Sequence, residues 1–128
     1  MSGVKRTTKR PNTVVLTGGT FNRIHPGHIY LLAKARMLGK LVVVLANDVH
    51  NKKENAIPSR ERKKALEALK IADKVIIGDA DRFVGVVEKT KPSVIVLGYD
   101  QKLPDAETRA YVKKKKIKVV RMDRFGTY

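Results

Sequence analysis

Five short runs rich in Val, Ile and Leu recur along the chain, at Thr13 to Leu16, Leu41 to Ala46, Lys74 to Ile77, Ser93 to Leu97 and Ile117 to Val120. The stretches between them have helical character, and that alternation is the pattern of a parallel sheet covered by helices. Between the first two runs, Pro26 suits the first turn of a helix, Ile29, Leu32, Ala33 and Met37 recur at helical spacing, and Gly39 ends the segment. Ser59 follows Pro58 as the expected N-cap of a second helix, with Leu66 and Leu69 on one side of a segment otherwise full of Arg, Lys and Glu. A third helix is expected from Arg82 to about Thr90, closed by Lys91-Pro92. A fourth is expected from about Pro104 to Lys115, with Asp105 and Glu107 near its start and lysines at its end.

The predicted order is therefore βαβαβαβαβ, an α/β chain with one doubly wound, parallel, five-stranded sheet. With right-handed crossovers, the simplest sheet covered on both faces has strand order 3-2-1-4-5, in which strands 1 and 4 are neighbours and the winding reverses between them. Ligands of such sheets bind outside the carboxyl ends of the strands at the reversal. Two loops are thereby nominated, one after Leu16 and one after Leu97.

Composition narrows what such a fold could serve. The 128 residues make one domain, read as a basic tail over residues 1–12 carrying Lys5, Arg6, Lys9 and Arg10, and a folded domain over 13–128. Apolar residues are 42%, too many for a disordered polycation, and the longest apolar run falls well short of the ~20 residues of a membrane span. No apolar segment follows the tail as it would in a secretory signal. Cysteine is absent, which excludes disulfides and thiolate zinc sites and points to a reducing, cytoplasmic setting. The 28 Lys+Arg against 12 Asp+Glu give a net charge of +16, so an anionic partner is expected: nucleic acid, an acidic membrane surface or a phosphate-rich substrate. A nucleic-acid-binding module is disfavoured, because no helix-turn-helix, RRM, KH or zinc-finger pattern occurs and aromatics are only 5%. Neither a specific nucleic acid nor a membrane is therefore expected as partner.

The loop after the first strand, read as Gly18 to His28, is GGTFNRIHPGH. Gly18 and Gly19 let the backbone turn sharply and approach a ligand closely. His25 and His28 are three apart across the expected helix N-terminus, so both imidazoles lie beside free backbone N–H groups and the positive end of the helix dipole. That arrangement suits a polyphosphate. Neither G-x-G-x-x-G nor G-x-x-x-x-G-K-[ST] is present, so phosphate would be held by a different device.

Thr20-Phe21 followed by His25-Pro26-Gly27-His28 resembles the T-F-D-x-x-H-x-G-H signature of the cytidylyltransferase-like nucleotidyltransferases, a Rossmann-like family. The resemblance runs from Thr13 over nearly the whole chain. It implies transfer of a nucleoside monophosphate from CTP or ATP to a phosphate ester, with release of pyrophosphate. Ile57 to Leu69, IPSRERKKALEAL, resembles a family segment in which Arg62 takes the place of an arginine. Gly98-Tyr99-Asp100-Gln101 resembles the G-x-D-Q of archaeal-type FAD synthetases, which implies ATP and FMN as substrates and FAD as product. Glycerol-phosphate cytidylyltransferases tend to carry a second acidic residue there, and heptose-phosphate adenylyltransferases a G-G-D-Y. The alternatives are accordingly a cytidylyl- or adenylyltransferase acting on glycerol phosphate, heptose phosphate or phosphopantetheine, or a protein that senses nucleotides without turnover. Relatives are often dimers, so a homodimer is expected. Two features depart from the family pattern. Asn22 stands where the usual residue is Asp, which keeps a side-chain acceptor but removes a charge, and the sequence reaches Tyr128 where many relatives continue into a Ser/Thr-rich segment over the triphosphate.

The chemistry implied sets the candidate residues. A phosphomonoester is already ionised near neutral pH and needs no general base, so the obstacle is repulsion between two polyanions. Catalysis then consists of in-line positioning and stabilisation of charge on the α-phosphate and the leaving pyrophosphate. The catalytic candidates are His25 and His28, which donate N–H bonds even when neutral, and Arg62, which can hold phosphate by a bidentate fork. Nucleotide binding is assigned to Gly18, Gly19, Thr20, Phe21, His25, Pro26, Gly27, His28, Asp100 and Tyr128. Lys52, Lys53 and Arg121, with Arg124, are candidate phosphate contacts. No carboxylate cluster suggests a protein metal cage, so Mg2+ is expected to arrive with the nucleotide. Tyr99, Phe125 or Tyr128 could offer an aromatic surface to a flavin. Asp48 reads equally as a turn former or a ligand contact, and His50 and Lys113 to Lys116 read as solvated.

Overall fold

The computed structural model describes residues 13–79 and 82–123. Five parallel strands, β1 (Val14–Gly19), β2 (Lys40–Leu45), β3 (Lys74–Ile77), β4 (Val94–Leu97) and β5 (Lys118–Arg121), lie in the order β3-β2-β1-β4-β5. Between them run α1 (Pro26–Arg36), α2 (Ser59–Leu69), α3 (Phe83–Thr90) and α4 (Ala106–Lys114). Sheet order and helix count are those expected from the sequence.

Successive residues of each strand point to opposite faces, and each face has its own helices. On one side Leu31, Leu32 and Ala35 of α1 and Leu66 of α2 pack against Val15, Leu41, Val43, Leu45, Val75 and Val96. On the other, Val86 and Val87 of α3 and Val112 of α4 pack against Leu16, Val42, Val44, Ile95 and Leu97. Both faces are covered, so the strands read in sequence as continuous apolar runs; all of Leu41 to Leu45 is buried. The crossover through α3 changes face and brings β4 beside β1, which leaves a crevice at their carboxyl ends.

Three local features differ from expectation. β1 continues through Thr17, Gly18 and Gly19, which pair with Val43, Val44 and Leu45, so the two glycines belong to the strand and not to the loop after it. Buried Thr17 hides its hydroxyl by donating to the Val96 carbonyl at 2.8 Å, which lets a polar residue continue a core strand. Ser59 is the first residue of α2 rather than its cap. Pro58 occupies the cap position, while the Ser59 N–H and hydroxyl both donate to Asp48, at 2.7 and 3.1 Å. Asp48 itself opens a 3-10 turn (Asp48–His50), a short helical element that the expected order of strands and helices lacks.

Candidate active site

The segment His25-Pro26-Gly27-His28 starts α1 by an unusual cap. His25 stands at the N-cap in extended conformation, and its Nδ1 accepts from the Gly27 N–H at 3.1 Å. The His25 N–H donates in return to Nδ1 of His28 at 3.2 Å. This is a capping box in which imidazoles replace the hydroxyl and carboxylate that ordinarily form it, and Pro26 begins the helix between them. A ring whose Nδ1 accepts carries its proton on Nε2 and is neutral, because an imidazolium has no acceptor. The two rings stack with centroids 3.8 Å apart at 21°, and the Phe21 ring tilts against His28 at 4.9 Å and 54°. Burial lowers the pKa of His28, and the nearby His25 and Lys53 push it the same way against a backbone hydrogen bond at Arg23.

The turn ahead of the box is held from behind. Phe21 is buried with φ 53, in the left-handed region that side chains other than glycine rarely enter. Its ring lies so close to Gly19 that a Cβ there would stand 2.9 Å from a ring carbon. The carbonyl of Thr20 receives Nη1 of Arg62 at 2.9 Å, while Nε donates to the Ile57 carbonyl at 2.7 Å and Nη2 to Asp48 at 3.0 Å. The Arg62 side chain has no exposed surface. The phosphate fork expected of Arg62 is therefore a correction: a guanidinium is tolerated inside only where acceptors meet it, and these three turn it away from the cleft. It positions the Thr20-Phe21 turn. The sequence held a signal for this, since Arg62 lies four residues before buried Leu66 on the same stripe of α2. Desolvation raises the Asp48 pKa, but the bonds from Ser59 and Arg62 outweigh it and hold the carboxyl below its usual range. Of its two readings, Asp48 takes the loop-forming one.

A cleft of about 580 Å³ opens between the start of α1 and the ends of β1 and β4. Gly18, Gly19, Thr20, Phe21, His25, Gly27, His28, Lys53 and Asp100 line it, with Tyr99 beside them. Pro26 is exposed at the helix start and outside the lining, as is Lys52. Arg121 is outside it too, donating to the Gln101 carbonyl at 2.6 and 3.2 Å. Gln101 is a residue that sequence reasoning matched but gave no task. Its Oε1 accepts from the Gly98 N–H at 2.6 Å and its Nε2 donates to the Gly18 carbonyl at 3.2 Å, stitching the loop after β4 to the end of β1. Tyr128, Arg124, Phe125 and the basic tail lie outside the described residues.

A second crevice, about 410 Å³, lies at the same sheet edge on the α3 and α4 side. Its walls are largely apolar, with Phe83, Leu97, Leu103 and Pro104, and it meets the first at Gly18, Gly19, Thr20 and Gln101. His50 lines this second crevice. Among the described residues no group of three or more His, Cys, Asp or Glu is placed to hold a metal ion, and no helix is long and apolar enough to cross a membrane.

A sheet wound in this order, with a helix-start cleft carrying neutral imidazole donors beside a lysine, defines a nucleotide-binding α/β protein equipped for transfer at phosphorus. The cytidylyltransferase-like family model matches residues 16–126, and the chain belongs to that family. It is 42% identical to the FAD synthase of Ferroglobus placidus over 107 residues, 81% of this chain and 70% of that protein. It is 40% identical to the FAD synthase of Aciduliprofundum boonei over 118 residues, 88% and 79% of the two chains. Among solved structures, a lipopolysaccharide core biosynthesis protein from Thermoplasma volcanium superposes with TM-score 0.78 at 34% identity, covering 89% of this chain and 98% of that one. Pantothenate synthetase from Thermus thermophilus shares the fold alone, with TM-score 0.56 at 14% identity over 91% of this chain and 57% of that one.

Proposed function

We propose that the chain is an FMN adenylyltransferase, moving AMP from ATP to FMN to give FAD and pyrophosphate. The observation that carries this reading is the likeness to FAD synthases over most of the chain. The FMN phosphate, already a dianion for the most part at neutral pH, attacks the α-phosphorus of ATP. A new P–O bond forms as the bond from the α-phosphorus to the bridging oxygen breaks, and that electron pair leaves with pyrophosphate. His25 and His28 offer Nε2–H donors to the α-phosphate, and the start of α1 adds its own N–H groups and dipole. Each well-aimed donor is worth ~2.7–4 kcal/mol of transition-state stabilisation. Lys53 faces the departing β- and γ-phosphates, and Mg2+ enters with the nucleotide as its counterion. Asp100 and Tyr99, at the far wall, take the adenosine.

The flavin ring belongs in the second crevice, where Phe83, Leu97 and Leu103 supply the apolar surface that Tyr99, Phe125 or Tyr128 were expected to give. Its ribityl phosphate then reaches the α-phosphorus across Gly18 to Thr20, where the two crevices meet. The test is product analysis by mass spectrometry with ATP or CTP against FMN, glycerol phosphate, heptose phosphate and phosphopantetheine. FAD and pyrophosphate are expected only when ATP, Mg2+ and FMN are all present. Formation of CDP-glycerol with no FAD would overturn the assignment of acceptor and base.

A further inference from the structure

The segment that follows the 3-10 turn returns to the cleft at Lys53, Glu54 and Asn55, and one side chain holds it at both ends. Asn22 and Asn51 face each other as paired carboxamides. Nδ2 of Asn22 donates to Oδ1 of Asn51 at 3.0 Å, and Nδ2 of Asn51 donates to Oδ1 of Asn22 at 2.9 Å. The same Asn22 Oδ1 accepts from the Ile57 N–H at 2.9 Å. Between those two anchors, residues 52–56 are all exposed, and Asn55 adopts a left-handed φ of 63. Asn51 is only 9% exposed, so its amide has few other partners to choose. Asn22 sits three residues before His25, in the turn that Arg62 holds from behind.

We propose that Asn22 is a positioning residue for the triphosphate, fastening the 52–56 loop at both ends so that Lys53 is carried to the His28 side of the cleft. An exposed five-residue loop left untied would spread its lysine over many conformers, and ordering it would cost conformational entropy on each binding event. Tying both ends to the histidine turn lets that ordering occur on folding instead. The neutral amide suits the task as well. A carboxylate at position 22 would still accept from Asn51 and Ile57, but it would set one of its oxygens against Oδ1 of Asn51 and add negative charge where a polyanion must enter.

This inference rests on reading the cleft as a triphosphate site, and the test separates the two. The measurement is calorimetric affinity for an α,β-methylene ATP analogue with Mg2+, and separately for FMN, on the wild type, Asn22→Ala, Lys53→Ala and the double variant. Lys53→Ala and Asn22→Ala are each expected to weaken the analogue by about tenfold while leaving FMN affinity within about twofold. In the double variant, Asn22→Ala should add less than about twofold to the effect of Lys53→Ala, because the amide acts through the lysine. Should Asn22→Ala not fold, Asn51→Ala, which breaks the amide pair from its other side, replaces it in the cycle and is expected to weaken the analogue and spare FMN. Full additivity of the two losses, or an equal loss for FMN, would overturn the role of Asn22 alone. A wild type that binds no analogue would remove the triphosphate reading and this inference with it.

Discussion

At the scale of single residues, His28 is a structural cap and, in the proposed reaction, a donor to the α-phosphate, and two substitutions separate those tasks. His28→Ala removes the acceptor for the His25 N–H and should cost about 0.5–2 kcal/mol of stability. His28→Gln, whose amide oxygen suits the same capping position, should restore most of it. Both are expected to lower turnover, the alanine by about a hundredfold or more, because neither replaces the imidazole donor at its height above the helix start. Burial and the neighbouring His25 and Lys53 put the folded pKa of His28 below the ordinary value of 6.5. The sign follows: a group depressed on folding gives stability that is whole above its unfolded pKa and is lost as pH falls through the folded one. Thermal unfolding between pH 7.5 and pH 5, as a range of roughly this span, should show that loss in the wild type and a shallower one in His28→Gln. The histidine pair was legible in sequence because residue type, spacing and the preceding strand agree. Arg62 was misread because the family resemblance and its place near the start of a helix at the ligand edge suggested a phosphate fork, whereas its place on the Leu66 stripe turned it inward.

Elements were legible wherever burial on both faces wrote an unbroken apolar run, as in β2, and least where a polar or small residue carries a strand onward. Gly18 and Gly19 have poor strand propensity, yet pairing with Val44 and Leu45 overrides it, and the loop they were assigned to begins later. Helix starts divide the same way. Asp105 caps α4 by accepting from the Thr108 N–H at 2.7 Å, as its position suggests, while Ser59 spends both donors on Asp48 across the loop, a partner that no local pattern reveals. The strand end also allows a test of the packing beneath the site. Gly19→Ala places a Cβ 2.9 Å from the Phe21 ring, which is buried and cannot retreat, whereas Gly18→Ala meets its nearest neighbour, the Val44 carbonyl, at 3.3 Å. Gly19→Ala should therefore lose about 1–3 kcal/mol in denaturant titration and disturb turnover through the Phe21 to His28 contact, with Gly18→Ala milder in both. Equal stability of the two variants would show that the turn yields more easily than its geometry implies.

For the molecule as a whole, strand order followed from crossover handedness together with the need to cover both faces of the sheet, and with it the edge at which a ligand is expected. What the linear pattern could not convey was that this edge carries two crevices on opposite faces of one sheet, because their walls come from helices whose facing side chains are remote in sequence. Their meeting line at Gly18 to Thr20 bears on the stereochemistry of the reaction. A nucleophile entering from one face and pyrophosphate departing on the other lie on opposite sides of a single phosphorus atom, the arrangement of one direct displacement. A double displacement would need a histidine lone pair as nucleophile, and both Nδ1 atoms are already committed to backbone amides. ATP made chiral at the α-phosphorus with sulfur should accordingly yield a flavin dinucleotide of inverted configuration, and retention, read by phosphorus NMR, would require a covalent enzyme intermediate.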